Sequence, residues 1–220
     1  MRFSLLAATA LTTTITFLVP GVAFAQSAYD WSGAYVGVNA GIVYSDAPVT
    51  IDDTDVTPIY ATGGLLGVTA GYNMDMAGVV VGIEGDASLA NVQGERSGAS
   101  GDFTADLDSL LTLRGRLGFT SGNALFYGTA GIAAGHASFT ASPGDLITPE
   151  TAETSGFVAG GVAGVGVEFA LTDTMSIKTE GLIFQLAPLS TVADTGKGGS
   201  YDAEYAPSGV TLRTGVNFQF

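Results

Sequence analysis

The last ten residues of the chain, TLRTGVNFQF, alternate between two kinds of side chain up to an aromatic terminus. One face of this segment carries Leu212, Thr214, Val216, Phe218 and Phe220, and the other carries Arg213, Gly215, Asn217 and Gln219. A repeat of two residues is the period of a β-strand whose faces meet different surroundings. Chain ends are usually poorly ordered unless they are tied down. The pattern therefore predicts a final strand that presents Phe220 to an apolar environment.

The first 25 residues have the features of a cleaved secretory signal. A basic Arg2 precedes an apolar stretch that ends in Ala23-Phe24-Ala25, the small-x-small pattern of a signal-peptidase site. A membrane anchor is the alternative, but a spanning helix needs ~20 apolar residues and Pro20-Gly21 interrupts the run. We therefore expect a signal peptide at 1–25 and a single exported domain at 26–220.

Composition excludes several classes of protein. Without Arg2 the chain has 6 basic and 21 acidic residues, and such an anion would be repelled by nucleic acid. A hydrophobic fraction of 46% argues against disorder, and 32 glycines argue against a helical fold. The chain has no cysteine for disulfides or lipid attachment, and no dinucleotide or phosphate-loop motif, so we expect no cofactor.

Eight segments of period-two alternation follow the signal, and no apolar run reaches the length of a spanning helix. Turn-like sequences, MDMAG, TSGN and LTDTM, join segments two to three, four to five and six to seven, and much longer polar stretches join the others. An apolar exported chain of this kind can enter a bilayer as a closed barrel. We predict an all-β, eight-stranded antiparallel transmembrane up-and-down β-barrel with short periplasmic turns and long extracellular loops.

The charged residues of the predicted strands share the face opposite the more apolar one. Their number is balanced between four acids and four bases: Glu84, Asp86, Arg114, Arg116, Glu168, Lys178, Glu180 and Arg213. Strand seven is less regular, because Leu182 and Phe184 fall on its charged face. A basic residue facing lipid at mid-membrane costs ~2–4 kcal/mol, and an eight-stranded barrel is just wide enough for side chains to fill. We predict a lumen closed by a network of salt bridges, and the alternative is a polar lining for a narrow pore.

Several motifs, in order, resemble one family. They are WSGAYVGVNAG at 31–41, GVTAGYN at 67–73, VVGIEGD at 80–86, LRGRLGF at 113–119, GVGVEFALTDTMSIKTEGL at 164–182 and VTLRTGVNFQF at 210–220. These motifs are similar to those of the small outer-membrane β-barrel family of alphaproteobacteria, catalogued as porin-family or opacity-type surface proteins, with an OmpA-like eight-stranded architecture. The resemblance covers most strands and leaves out the long loops.

The resemblance implies an outer-membrane location and a structural, surface-exposed role. The expected partners are outer-membrane lipid and lipopolysaccharide, and host or surface ligands that contact the acidic loops. The final strand, with Phe218 and Phe220, is similar to the signal read by the barrel-assembly machinery, and both rings would lie in an interfacial aromatic girdle. A low-conductance porin for small solutes is the alternative function.

The sequence contains only weak signals for a metal site or a catalytic site. DDTD at 52–55 and DLD at 106–108 place carboxylates where they could share a divalent cation, but neither has the spacing of a calcium loop. His136, Ser138 and Glu150 resemble the residues of outer-membrane lipid A deacylases in type and spacing, although Phe139 replaces the Asn that usually follows the serine. We expect no metal site and no catalytic residue, and a lipid A-modifying hydrolase is a distant third function.

Overall fold

A computed structural model of the chain describes residues 29–51, 54–98, 101–142, 152–194, 200–205 and 207–220. The predicted signal peptide lies outside the described residues. Ten strands account for nearly all of them: β1 Gly33–Ile51, β2 Thr54–Met76, β3 Val79–Gly98, β4 Gly101–Ser121, β5 Ala124–Ser142, β6 Ala152–Thr172, β7 Met175–Leu186, β8 Leu189–Asp194, β9 Ser200–Tyr205 and β10 Ser208–Gln219. No helix in the described part of the chain is long and apolar enough to cross a membrane.

Eight of the strands close into an antiparallel barrel. Each strand from β1 to β6 pairs with the next, β7 pairs with β10, and β10 pairs with β1 from Tyr35 opposite Gln219 to Ser45 opposite Gly209. Closure gives every spanning strand a hydrogen-bonded neighbour on both sides, which backbone groups in lipid require. The predicted eight-stranded antiparallel barrel is confirmed.

Tight turns connect the strands at one end of the barrel. They lie between β2 and β3, β4 and β5, and β6 and β7, as predicted. In the first turn Ala77 has φ of 58° and Gly78 has φ of 93°. Two consecutive positive φ angles are the signature of a type I′ turn, whose twist matches that of a β-hairpin. This end is the periplasmic end of the barrel.

The strands continue far beyond the membrane at the other, extracellular end. β1 and β2 remain paired up to Ile51 opposite Thr54, and β3 and β4 up to Gly98 opposite Gly101. The long extracellular connections are therefore largely hairpins, because pairing satisfies backbone groups that a coil would leave to water. The segment between β7 and β10 forms a further hairpin, β8–β9, and β9 pairs with the end of β1.

Aromatic rings border the lipid-facing band at both ends. At the periplasmic end they are Tyr72, Phe119, Phe126, Phe169 and Phe218, all more than 40% exposed. At the extracellular end Tyr44 stacks on Tyr60 with ring centroids 6.2 Å apart. Between Ala34, the partner of Tyr72, and Tyr44, β1 advances ten residues, which at ~3.3 Å per residue and ~40° of tilt spans about 25 Å. This height matches the apolar band of an outer-membrane barrel.

Candidate functional site

The eight charged residues of the predicted strands all project into the lumen. They come from β3, β4, β6, β7 and β10, and none is more than 6% exposed. Period-two alternation explains the placement, since residues such as Glu84 and Asp86 must share a strand face. We call these eight side chains the lumen network.

Arg114 lies at the centre of the lumen network. Its Nη2 atom is 2.5 Å from Glu84 Oε1 and 2.6 Å from Asp86 Oδ2, and its Nη1 atom is 3.1 Å from Glu180 Oε2. Charge-assisted hydrogen bonds are stronger than neutral ones, and the planar guanidinium can bind several carboxylates at once. One arginine thus joins the acids of β3 to the acid of β7.

Two further cations complete the centre. Lys178 Nζ is 2.7 Å from Glu84 Oε2, and Arg213 lies 2.8 Å from Asp86 through Nη2 and 2.6 Å from Glu180 through Nε. Each of the three central carboxylates therefore contacts at least two basic side chains. Among the described residues these acids form the one group whose oxygens, within 4.8 Å of one another, could share a metal ion. Basic side chains already bind them, so the donor set does not favour a metal.

Arg116 and Glu168 extend the lumen network toward the periplasm. Arg116 Nη2 is 2.7 Å from Glu168 Oε2, and the guanidinium carbon lies 4.0 Å from the centre of the Tyr127 ring. Ser176 Oγ and Asn217 Nδ2 each donate to Glu168 Oε1 at 2.6 Å. A carboxylate buried this deeply is tolerated because its oxygens are occupied.

Neutral side chains occupy other lone pairs of the lumen network. The Tyr35 hydroxyl donates to Glu84 Oε2 at 2.8 Å and accepts from Arg116 Nη1 at 2.7 Å. Thr69 and Thr112 donate to the two oxygens of Asp86 at 2.6 and 2.8 Å. Among the eight charged side chains, Arg116 Nε is buried without a hydrogen-bond partner, so the network is densely but not completely bonded. Removing one member of such a network leaves costly unpaired groups.

Two apolar layers, which the sequence pattern did not reveal, lie above and below the lumen network. The upper layer, at the extracellular side, includes Leu65, Leu107, Phe139, Leu182, Phe184 and Leu186. The lower layer is Trp31, Val80, Leu125 and Tyr127, and Tyr29 packs against it. Leu182 and Phe184 are apolar residues on the charged face of strand seven. This departure from the alternation was the one signal in the sequence that pointed to the upper layer.

The N-terminal segment before β1 contributes Trp31 to the lower layer and is hydrogen-bonded to Gln219 in the last strand. Trp31 is 2% exposed and meets the Tyr29 ring edge-on at 4.7 Å. The Tyr29 hydroxyl donates to Gln219 Oε1 at 2.6 Å, and Gln219 Nε2 donates to the Asp30 and Ser32 carbonyls. Burial, followed by the carboxylates of Glu168, Asp173 and Asp30, raises the pKa of Tyr29 to about 12. The hydroxyl is therefore a stable donor at neutral pH.

Phe218 and Phe220 lie on the outside of the barrel at the periplasmic end. Phe218 pairs with Val36 and Met175 in the sheet and is 48% exposed, and Phe220 is 81% exposed. The Phe220 amide donates to the Ala34 carbonyl at 2.9 Å. Both rings are thus directed toward the membrane interface, where aromatic side chains are enriched.

The weak candidates lie on the extracellular hairpins. His136 Nδ1 is 3.3 Å from Asp108 Oδ2, the His136 ring meets Phe157 edge-on at 5.1 Å, and Glu150 lies outside the described residues. Burial and the neighbouring carboxylates of Asp108 and Glu95 raise the pKa of Asp106. Asp52 and Asp53 of the DDTD motif also lie outside the described residues.

Comparison with known proteins decides the family. The sequence profile of the outer membrane protein beta-barrel domain matches residues 9–220. The chain belongs to this family. Members of the outer membrane protein β-barrel family lie in the cell outer membrane, and this chain is an integral outer-membrane β-barrel protein with segments exposed at the cell surface.

Relatives in two alphaproteobacterial genera agree with that assignment. The 31 kDa outer-membrane immunogenic protein of Brucella melitensis biotype 1 is 30% identical, over 87% of this chain and 85% of that protein. A 22 kDa outer membrane protein of Rhizobium leguminosarum bv. viciae is 26% identical, over 88% of this chain and 81% of that protein. Among solved structures, the outer membrane protein OprG of Pseudomonas aeruginosa shares the fold, with a TM-score of 0.56 at 14% identity over 88% of this chain and 100% of that one. The expected family, fold and location are confirmed.

Proposed function

We propose that this protein is a sealed outer-membrane barrel that contributes to envelope structure and displays acidic hairpins at the cell surface. The observation that carries the proposal is the filled lumen. An upper apolar layer, the charged lumen network and a lower apolar layer follow one another along the barrel axis. A pore for small solutes needs a continuous water path, and apolar constrictions oppose one by dewetting.

Single-channel recording tests the sealed barrel. The mature protein is refolded and inserted into planar bilayers, after a shift of gel mobility on heating has verified a folded barrel. We expect no discrete conductance from verified folded protein. Reproducible openings would mean that the lumen network lines a pore, and the porin alternative would replace our proposal.

The surface role rests on charge and on the relatives. β6 carries Glu153 and β4 carries Asp106 and Asp108 beyond the membrane band, and the β8–β9 segment adds Asp194, Asp202 and Glu204. Relatives in Brucella are named immunogenic proteins, which is consistent with exposed hairpins. We propose that these hairpins contact lipopolysaccharide sugars or host molecules. Antibodies raised against the β8–β9 peptide should label intact cells, and labelling only after permeabilisation would contradict this orientation.

The terminal aromatics have a proposed role in biogenesis. Phe218 and Phe220 are exposed at the end of the closing strand, where the barrel-assembly machinery could bind them before β10 pairs with β1. Deleting Phe220 should sharply lower the amount of folded protein in the outer membrane, measured by the heat-shifted gel band. Normal folded levels in the deletion strain would remove this role.

We further propose that the protein is not an enzyme. His136 contacts Asp108 on the outer face, and Ser138 follows two residues later, but we found no second group directed at Ser138 as a positioned base or oxyanion donor in the described residues. The lipid A of cells that express the wild-type protein should have the same mass spectrum as that of cells expressing His136→Ala. A mass change that depends on His136 would support the hydrolase instead.

A further inference from the structure

A groove of about 900 Å³ runs along the lipid-facing surface of β5, β6, β7 and β10. Small residues that face outward form its floor: Ala130, Ala159, Gly161 and Ala163. Ile183 and Val210 form one side of the groove. On the other side lies Ile132 of β5, which is the register partner of Gly161 and is 64% exposed. We call this feature the β6 groove.

Internal packing does not explain why the residues on the floor of the β6 groove are so small. A Cβ atom at Gly160 would strike the carbonyl oxygen of Gln185 and the Cα atom of Leu186, so the lumen side requires glycine there. A Cβ atom at Gly161 would meet nothing within 4 Å, and its φ is ordinary for a strand. Glycine inside a strand costs ~0.5–1 kcal/mol relative to alanine. The protein therefore leaves the space over Gly161 unfilled and open to lipid.

The β6 groove lies in the outer leaflet. Gly161 is eight residues from Phe169, the girdle aromatic at the periplasmic end of β6. At ~3.3 Å per residue and ~40° of tilt, these eight residues raise Gly161 about 20 Å above that girdle, in an apolar band about 25 Å tall. Lipid chains of the outer leaflet are the molecules that meet the groove.

Two polar groups border the β6 groove, one beside its floor and one at its extracellular end. Gln185 is the exposed register partner of Gly161 on β7, and Tyr44, in the extracellular aromatic girdle, is 50% exposed. An amide both donates and accepts hydrogen bonds, and a phenol does so too. The groove thus combines an apolar floor with one hydrogen-bonding group beside Gly161 and a second one near the extracellular girdle, where a lipid chain joins its headgroup.

We propose that the β6 groove binds one hydroxyacyl chain of an outer-leaflet glycolipid of the lipid A class. The chain fills the space over Gly161, and its hydroxyl and amide or ester groups bond with Gln185 and Tyr44. Within a bilayer such binding comes from close packing and hydrogen bonds, because protein and lipid chains are equally apolar. The proposal goes beyond the sealed-barrel function, and it holds or fails whether or not the lumen conducts.

Quenching of a tryptophan by brominated lipid tests the site. The chain has one tryptophan, so Trp31→Phe provides a background into which Ile132→Trp is placed beside the groove. Leu66→Trp is the matched control, because Leu66 is also 64% exposed and is six residues from Tyr72, as Ile132 is from Phe126. Each folded protein is reconstituted in brominated phosphatidylcholine with rising fractions of purified lipopolysaccharide, and in parallel with unbrominated phosphatidylcholine.

We expect lipopolysaccharide to relieve quenching at Ile132→Trp at about fivefold lower mole fraction than at Leu66→Trp, a preference of about 1 kcal/mol. Unbrominated phosphatidylcholine should act equally at the two positions. Adding Gly161→Leu should abolish the difference by filling the groove. Gly85→Leu, on β3 outside the groove, should preserve the difference, because an added Cβ there has no neighbour closer than 3.8 Å. Ala159→Leu replaces Gly161→Leu if the latter does not fold.

Two results would overturn the proposal. Equal titrations at Ile132→Trp and Leu66→Trp would mean that lipid exchanges freely over the β6 groove. A difference that survives both Gly161→Leu and Ala159→Leu would place the preferred lipid elsewhere. If Gln185→Leu leaves the preference for lipopolysaccharide unchanged, the polar rim does not select the lipid class, and that part of the proposal is wrong.

Discussion

Replacing Arg114 by methionine removes the cation that joins both sides of the lumen network. The substitution keeps most of the side-chain volume and deletes the ion pairs to Glu84, Asp86 and Glu180. The lumen then holds four acids and three bases. We expect the barrel to be less stable because one negative charge is left uncompensated in a closed, water-poor space.

The structure sets the size of the effect. Breaking a buried ion pair by removing one partner typically costs ~3–5 kcal/mol. Glu84 keeps Lys178, and Asp86 and Glu180 both keep Arg213, so no carboxylate loses its last basic neighbour. We therefore expect a loss near the lower limit, about 3 kcal/mol in the free energy of unfolding. A second change, Glu180→Gln, rebalances the charge and should recover at least half of that loss.

Urea unfolding in phospholipid vesicles measures the difference. The buried Trp31 is the natural fluorescence reporter, and the heat-shifted gel band checks folding independently. Leu113→Met is the matched control, because Leu113 precedes Arg114 but faces outward at 50% exposure, and its change should stay within ~0.5 kcal/mol. The reasoning fails if Arg114→Met unfolds within ~1 kcal/mol of wild type, or if the double variant is less stable than the single one.

Three other changes test the rest of the lumen. Phe184→Ala opens a cavity in the upper apolar layer and should cost ~3–5 kcal/mol in the same urea assay. Gly131→Ala directs a methyl group onto the Leu113 carbonyl oxygen and should prevent the heat-shifted band, whereas Gly128→Ala, whose Cβ has its nearest neighbour at 4.0 Å, should fold normally. In the folded protein burial raises the pKa of Tyr29 from 10.0 to about 12, so its contribution to stability is complete below pH 10 and declines as the pH rises toward 12. In urea midpoints measured across this range, Tyr29→Phe should show a smaller decline than the wild type.

The barrel and the placement of its charges were predictable because both depend on one simple period. Turning the charge of Arg114 or Arg116 toward lipid would cost free energy, so the strand register follows from the sequence. Which acid meets which base was not predictable, since Arg114 of β4 and Glu180 of β7 meet across the lumen. That contact depends on the tilt and stagger of the closed barrel, which no local pattern encodes.

The apolar layers escaped prediction for a different reason. Leu182 and Phe184 face the lumen, yet they are the same kinds of residue that face lipid. A β-bulge near Leu107 and Ser109 also inverts the alternation of β4, so Leu107 faces inward above it and Leu110 below it. Alternation identifies two faces of a strand, but it cannot say which of two apolar faces is enclosed.

The pairing of β1 with β10 has a consequence for how the chain must be made. Tyr35 meets Gln219, and the Tyr29 hydroxyl bonds to the same glutamine 190 residues away. Contacts between residues so distant in sequence form slowly, because a very long loop must close first. Until the last strand has been exported, the edge of β1 has no permanent neighbour and is open to pairing with other chains. The exported part of the polypeptide must therefore be kept apart from its own copies until β10 arrives to pair with β1.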